Sequence, residues 1–480
     1  MTAIKADKLC FTYPYEKKPT INGLTFSLEK GESLAVMGSN GSGKSTLIRL
    51  LSGLLVPTSG SVVTDGIVLS DKKSRKEVKR HIQSVFQEPS GQFVTATPRE
   101  EARLVAGLFD RSEDDIGRIF CEYARFMDRE FTALSGGEKQ KMALALAMLT
   151  GASVLVFDEA LSSLDPKERQ DFLEIILSLK AEGRTVIYIT QEADEALLFD
   201  KLLILDDGAF APPHELLYSG KYPFLPFRLR LEKRKKEGIY HHPVPSDRVI
   251  LECNALSLER ASSRILSDVT FSLHEGEVLG LTGDNGSGKT TLLDCISGFE
   301  KRYSGKVHVA SSIGYAVQEA EKLFFCTSVE KELIYGGRTC DVREILALTG
   351  LDEALLPSSP FTLSGGEKRR LAVSLFLAKD VKILLLDEPS SALDPEGRDK
   401  LEKLIRSLKE KGVSMIIADH NLELLSEVCD SVLRLEGGRG IMHSVSEFFT
   451  PAVFERYSLP LTDAMKHGFS NLSEMAEALS

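Results

Sequence analysis

One stretch occurs twice, and it limits what this chain can fold into more than any other feature. The first copy is Gly38-Ser39-Asn40-Gly41-Ser42-Gly43-Lys44-Ser45 and the second is Gly283-Asp284-Asn285-Gly286-Ser287-Gly288-Lys289-Thr290. Both fit G-x-x-x-x-G-K-[ST], which works only between a buried strand and a helix. Each follows an apolar run, Leu34-Ala35-Val36-Met37 and Val278-Leu279-Gly280-Leu281, and each precedes a helix-like segment that opens with Thr46 or Thr291. Glycines let backbone N–H groups converge on phosphate oxygens, and the helix N-terminus adds the positive end of its dipole. Lys44 and Lys289 reach the outer phosphates, and the hydroxyls of Ser45 and Thr290 suit Mg²⁺. Two copies in the same context exclude a chance glycine-rich turn.

Composition sets outer bounds. A length of 480 residues with a 42% hydrophobic share allows two substantial cores. The net charge of -11 argues against a general nucleic-acid binder. Seven cysteines without a C-x-x-C pair suggest a reducing compartment. Lys5, Asp7 and Lys8 precede any long apolar run, so no signal peptide is expected. The longest apolar runs, such as Ile383-Leu384-Leu385-Leu386, are strand-sized, whereas a spanning helix needs about 20 apolar residues.

In chain order, residues 1–30 alternate as a β-hairpin region would. Tyr13 there suits either stacking on a nucleotide base or packing on the core. The charged stretch Asp71–Arg80 reads as a solvated helix face. Gln87 ends a strand and suits a metal or the attacking water. Residues 99–131 look helical. Leu134-Ser135-Gly136-Gly137-Glu138 then opens a helix, with Ser135 at its N-cap and glycines that allow an anion to approach. The strand Val154–Phe157 delivers Asp158 for Mg²⁺ and Glu159 to polarise a water. A strand over Thr185–Thr190 ends at Gln191. Residues 221–248 form a basic, proline-punctuated connector, read as a solvated linker helix.

The second half repeats this order. An offset of 229 carries Ser135 to Ser364, Glu159 to Glu388 and Gln191 to His420. Gln87 and Gln318 are 231 apart, and Lys44 and Lys289 are 245 apart, so the second copy is shorter and lacks the charged stretch. The expected division is a first domain over 1–220, a linker over 221–248, a second domain over 249–445 and a C-terminal extension over 446–480, with no chemistry legible in the extension.

Leu134-Ser135-Gly136-Gly137-Glu138 and Leu363-Ser364-Gly365-Gly366-Glu367 resemble the signature of ATP-binding cassette (ABC) ATPases. With both phosphate loops, both Asp-Glu strand ends and both glutamines, the resemblance spans nearly the whole chain. It implies an α/β fold of two tandem P-loop, RecA-like domains, each with a β-subdomain and a helical subdomain. It also implies ATP and Mg²⁺ as ligands, and cassettes that pair head-to-tail. Gln87-Glu88-Pro89-Ser90-Gly91-Gln92-Phe93 is similar to the corresponding stretch in ATPases of energy-coupling factor importers, which take up vitamins or transition-metal ions.

The sites implied by the resemblance are as follows. ATP would be held by Tyr13, Gly38, Ser39, Asn40, Gly41, Gly43, Lys44, Ser45 and Thr46 in the first loop. In the second it would be held by Gly283, Asp284, Asn285, Gly286, Gly288, Lys289, Thr290 and Thr291. The signatures Ser135, Gly136, Gly137 and Ser364, Gly365, Gly366 complete them. Mg²⁺ falls to Ser45, Gln87 and Asp158 in one copy and to Thr290, Gln318 and Asp387 in the other. The chemical step falls to Glu159, Glu388, His420, Gln87 and Gln318. Gln191 departs from the family's histidine, Arg260 stands near the place of Tyr13, and Ala160 stands where the second copy has Pro389. The expected function is the ATPase of a vitamin or metal-ion importer, peripheral on the inner face of the membrane. Its partners would be a transmembrane coupling protein and a substrate-binding membrane protein, with no nucleic acid. The rival expectation is a soluble, non-transport ABC ATPase acting on ribosomes or DNA.

Overall fold

The computed structural model describes residues 1–14, 16, 18–86, 89–161, 164–237, 243–260, 263–335, 341–391 and 393–479. The chain divides into two compact units, Met1–Arg230 and Leu231–Ser480.

In the first unit, β1 (Thr2–Phe11), β2 (Ile21–Glu29), β4 (Ser59–Thr64) and β5 (Ile67–Val68) form an antiparallel sheet in the order β2-β1-β4-β5. The alternation read from the sequence is the pleat of β1 and β2, with Ile4, Leu9, Leu24, Phe26 and Leu28 turned into the core. A second sheet holds β3 (Ser33–Met37), β6 (Ile82–Phe86), β7 (Val154–Asp158), β8 (Thr185–Ile189), β9 (Lys201–Ile204) and β10 (Ala209–Ala211) in the order β10-β9-β3-β8-β7-β6. All but β10 run parallel. Every residue of β3, β7 and β8 is buried, as expected of central parallel strands covered on both faces.

The second unit repeats the plan. β11 (Val249–Arg260), β12 (Ser263–His274) and β14 (Ser304–Val309) form the antiparallel sheet. β13 (Val278–Gly283), β15 (Ile313–Ala316), β16 (Ile383–Asp387), β17 (Ser414–Ala418), β18 (Ser431–Glu436) and β19 (Arg439–Ser444) form the core sheet in the order β15-β16-β17-β13-β18-β19. This is the strand order of the first unit, element for element. In both units β3 or β13 lies between two parallel neighbours, so the phosphate loop leaves from the middle of the sheet's C-terminal edge, where such sheets bind ligands.

The repeat extends to a strained detail. Lys8 and Ala255 take left-handed φ values of 47° and 52°, and each faces a glycine on the neighbouring strand. A Cβ on Gly60 would lie 2.2 Å from the Lys8 carbonyl oxygen, and one on Gly305 would lie 2.4 Å from that of Ala255. Both bulges therefore require glycine opposite.

The charged stretch is a short helix, Lys72–Glu77, with no buried residue and a capping box from Asp71 to Ser74. The connector carries a helix, Phe227–Glu237, whose cations are mostly spoken for. Arg230 pairs with Asp194 in the first unit, while Lys233 pairs with Asp399 and Arg234 with Glu402 in the second. His241 and His242 lie outside the described residues. The residues after β19 pack onto the second unit. Phe448, Phe449 and Phe454 are fully buried and join the main core of the second unit. Among the described residues, no helix is long and apolar enough to cross a membrane.

Candidate functional site

Each phosphate loop ends in a left-handed glycine, Gly43 at φ 98° and Gly288 at φ 102°, which N-caps the following helix. A Cβ there would strike Ile21 or Leu266 at 2.9 Å, so both the conformation and the space call for glycine. Lys44 is buried and its Nζ donates to the carbonyls of Gly38 and Ser39 at 2.9 and 3.2 Å. Lys289 does the same to Gly283 and Asp284 at 2.7 and 3.2 Å. Each lysine is thus folded back along its own loop, at the mouth of the nest.

The carboxylates arrive from the neighbouring strands. β7 delivers Asp158, whose carboxyl is pushed up by burial while the Ser45 hydroxyl bonds it. β16 delivers Asp387, pushed up by burial in the same way, with bonds from Thr290 and from Tyr315. Glu159 and Glu388 both sit at φ 49°, an outlying conformation for a residue of this size. Lys44 lies 3.6 Å from Glu159.

The two units differ at the position that touches these glutamates. In the first, Gln191 Nε2 donates to Glu159 Oε1 at 3.2 Å, and the other amide atom, Oε1, is buried without a hydrogen-bond partner among the described residues. In the second, His420 Nε2 stands 3.3 Å from Glu388 Oε1, out of line for a strong hydrogen bond, and Gln318 Nε2 donates to Glu388 Oε2 at 2.8 Å. His420 holds the Glu388 carboxyl below the usual carboxylate range, against the opposing effect of burial, and Lys289 and Arg369 add to it. Gln87 lies outside the described residues.

Three residues near Glu388 escaped the sequence reading. Arg369, on the helix Gly365–Leu377, donates to the carbonyls of Pro389 and Ser391. Asp419 is 3% exposed and accepts from the Ser390 amide at 3.0 Å, the Ser390 hydroxyl at 2.7 Å and the Asn421 amide at 2.8 Å. The turn after Glu388 is therefore fastened to the strand end that carries His420. The 229 offset places Gln140, Leu161 and Thr190 at these positions in the first unit. Gln140 donates to the Phe86 carbonyl, and Leu161 and Thr190 cannot form the hydroxyl–carboxylate pair that Ser390 and Asp419 make. Aligning the two copies on the offset exposes all three differences.

The other expected residues fall as follows. Tyr13 packs edge-on to Phe11 and its hydroxyl lies 3.1 Å from Thr46 Oγ1, beside the first loop. Arg260 is tied to Glu300. Ser135 and Ser364 cap their helices in reciprocal boxes with Glu138 and Glu367. Among the described residues, neither signature serine is hydrogen-bonded to the phosphate loop of its own unit.

The donor set fits a nucleotide phosphate chain and Mg²⁺. A Cβ on Gly41 or Gly286 would meet nothing within 4 Å, so the face of each nest is open. The buried hydroxyls of Ser42 and Ser287 have no hydrogen-bond partner among the described residues. A hard hydroxyl and a carboxylate meet at the foot of each loop, which is the oxygen chemistry Mg²⁺ prefers.

Two phosphate-loop domains with paired carboxylates define a tandem P-loop ATPase. The ABC transporter family profile matches residues 21–162 and 266–391, more than half of the chain, and the chain belongs to that family. It is 29% identical over 490 residues to a Bacillus subtilis (strain 168) protein provisionally named as the HMP/thiamine import ATP-binding protein YkoD, covering 90% of this chain and 89% of that one. It is 27% identical over 485 residues to an ABC transporter ATP-binding protein of Methanosarcina acetivorans, provisionally so named, covering 93% and 91%. Its fold matches the archaeal ribosome recycling factor aABCE1, solved with the ribosomal stalk protein aP1, at TM-score 0.67 and 23% identity over 92% of this chain and 90% of that one. RNase-L Inhibitor matches at TM-score 0.65 and 23% identity over 92% and 91%.

The two structural matches, unlike the two sequence relatives, stand against the importer reading. Two cassettes fused in one chain looked like the ATPase pair of an energy-coupling factor importer, with a transmembrane coupling protein and a substrate-binding membrane protein as partners. The same tandem arrangement, over nine-tenths of the chain, is the fold of a ribosome recycling factor. The importer reading rested on the stretch after Gln87, on the short segment before each signature and on the fusion of two cassettes, features that shape the cassettes and do not contact the partner, and the fusion is equally the architecture of aABCE1.

Proposed function

We propose that this chain is an ATPase that acts on ribosomes and works in the cytoplasm, with two unequal ATP sites of which the second carries most of the hydrolysis. The observation behind the inequality is the grip on Glu388. Gln318 and His420 both touch its carboxylate, and Asp419 and Arg369 fasten the turn behind it. Glu159 has a neutral amide in place of the histidine.

In the second site the nest Gly283–Gly288 binds the phosphates through backbone N–H groups and Lys289 neutralises their charge. Thr290, Asp387 and Gln318 would hold Mg²⁺, which supplies Lewis-acid polarisation of the phosphate oxygens. The ionised Glu388 accepts the proton of the attacking water. His420 donates toward the terminal phosphate and shares charge with it. Ser45, Asp158 and Gln87 would play the metal-binding roles in the first site.

The ribosomal partner rests on the tandem fold shared with aABCE1. The pairing of the connector's cations with the chain's own carboxylates argues against an RNA contact through that helix. The test is sedimentation of the purified chain through sucrose with ribosomes or with membrane vesicles from the same cells. The chain is expected in the ribosome pellet with ATP, more fully for Glu388→Gln, and absent with ADP. Recovery with vesicles and not with ribosomes would contradict the proposal.

A further inference from the structure

We infer that Tyr457 and Arg434, neither of which lies in the phosphate loop, are positioning residues for the second loop, so that the segment after β19 tunes ATP binding there. Arg434 lies on β18 and is 2% exposed. A buried guanidinium is costly without an anion. Among the described residues its one carboxylate partner is Asp284, at 2.8 Å, the second residue of the loop. Asp284 is itself mostly solvent-exposed, and among the described residues no other side chain bonds its carboxylate. Its carbonyl is one of the two on which Lys289 Nζ rests. Arg434 thus sets the loop backbone from beneath.

The other face of Arg434 is covered by Tyr457, whose ring centroid lies 4.6 Å from the guanidinium carbon. Tyr457 is buried, and its hydroxyl is 3.1 Å from His443 Nε2. Arg456 approaches the same ring at 5.3 Å, and Phe448 stacks at 6.3 Å. A desolvated cation held against an aromatic face is fixed in place. The path therefore runs from Phe448 and Tyr457, through Arg434, to Asp284 and Lys289.

The internal repeat supports a latch. In the first unit Ser39 occupies the position of Asp284, and its amide and hydroxyl donate to Asp206, two residues past β9. The strand position that corresponds to Arg434 is Ile204, which is fully buried. Both loops are tied at the same residue, but with donor and acceptor exchanged. Only the second latch reaches into the chain's last segment.

The inference rests on the reading that this loop binds ATP, and the test separates the two. The full chain carrying Lys44→Ala, which silences the first loop, is titrated with a fluorescent ATP analogue. Tyr457→Leu and Asp284→Asn are each expected to weaken binding by about fivefold to thirtyfold, and Tyr457→Phe by less than about twofold. The double variant Tyr457→Leu/Asp284→Asn should be no weaker than the worse single one, because both break one latch. For Tyr457→Leu, KM for ATP should rise by the same factor while kcat falls less than about twofold. Melting curves check folding, and Asp284→Asn, on the surface, keeps the test valid if Tyr457→Leu unfolds. Unchanged binding in Asp284→Asn, or additive losses in the double variant, would overturn the inference. Lys289→Ala serves as the control. If it binds as tightly as its Lys44→Ala parent, the reading of the loop fails instead.

Discussion

Glu388→Gln is expected to remove nearly all steady-state ATP turnover, while Glu159→Gln leaves a sizeable fraction. The loss at a competent site is roughly 10²-fold or more, the scale for a positioned general base. The asymmetry follows from what holds each glutamate. Glu388 has His420 at 3.3 Å, and His420, Lys289 and Arg369 hold its carboxyl below the usual carboxylate range. Glu159 has Lys44 at 3.6 Å and the neutral Gln191 at 3.2 Å. An amide hydrogen-bonds but carries neither a proton for transfer nor a charge to share. Equal losses from the two variants, measured by phosphate release at saturating ATP, would refute the inequality of the sites.

Gln191→His should raise the activity of the first site by roughly tenfold to a hundredfold. One charge-assisted hydrogen bond contributes on the order of 1.5–3 kcal/mol where it is well placed, and the conversion to rate is tenfold per 1.36 kcal/mol, or about 1.4. The frame that would receive the histidine is in place. Gln191 and His420 leave equivalent parallel strands, β8 and β17, and both already touch the glutamate of the adjoining strand. The clean background is Glu388→Gln, where any gain comes from the first site. No gain would refute this account of Gln191 and leave the deficit to other departures, such as Gln140 and Thr190 in the places of Arg369 and Asp419.

Much of this was legible in the sequence because it is written in contiguous runs. The phosphate loops, the Asp-Glu strand ends and the signature caps are each set by residues within eight positions of one another, so spacing alone announced them. The buried strands were legible for the same reason, as unbroken apolar runs such as Val154–Phe157. What escaped was long-range. Asp419 meets Ser390 across 29 positions, and Arg434 meets Asp284 across 150. Nothing local to either residue signals the partner. The segment after β19 escaped because it folds as short pieces, Val445–Phe448 and Pro451–Arg456, too brief for a helical period to show. Its aromatic residues become informative only once packed. The importer partners were read from the stretch after Gln87, the short segment before each signature and the fusion of two cassettes, and the fusion is shared with aABCE1.

The central claim is that hydrolysis belongs chiefly to the second site, and trapping tests it most directly. The full chain is turned over with a photoreactive ATP analogue in the presence of orthovanadate, which holds the post-hydrolysis nucleotide, then irradiated, digested and mapped. The account predicts label on peptides containing Gly283–Thr290, little on those containing Gly38–Ser45, and loss of the label in Glu388→Gln. Equal labelling of the two loops, or trapping that survives Glu388→Gln undiminished, would contradict it.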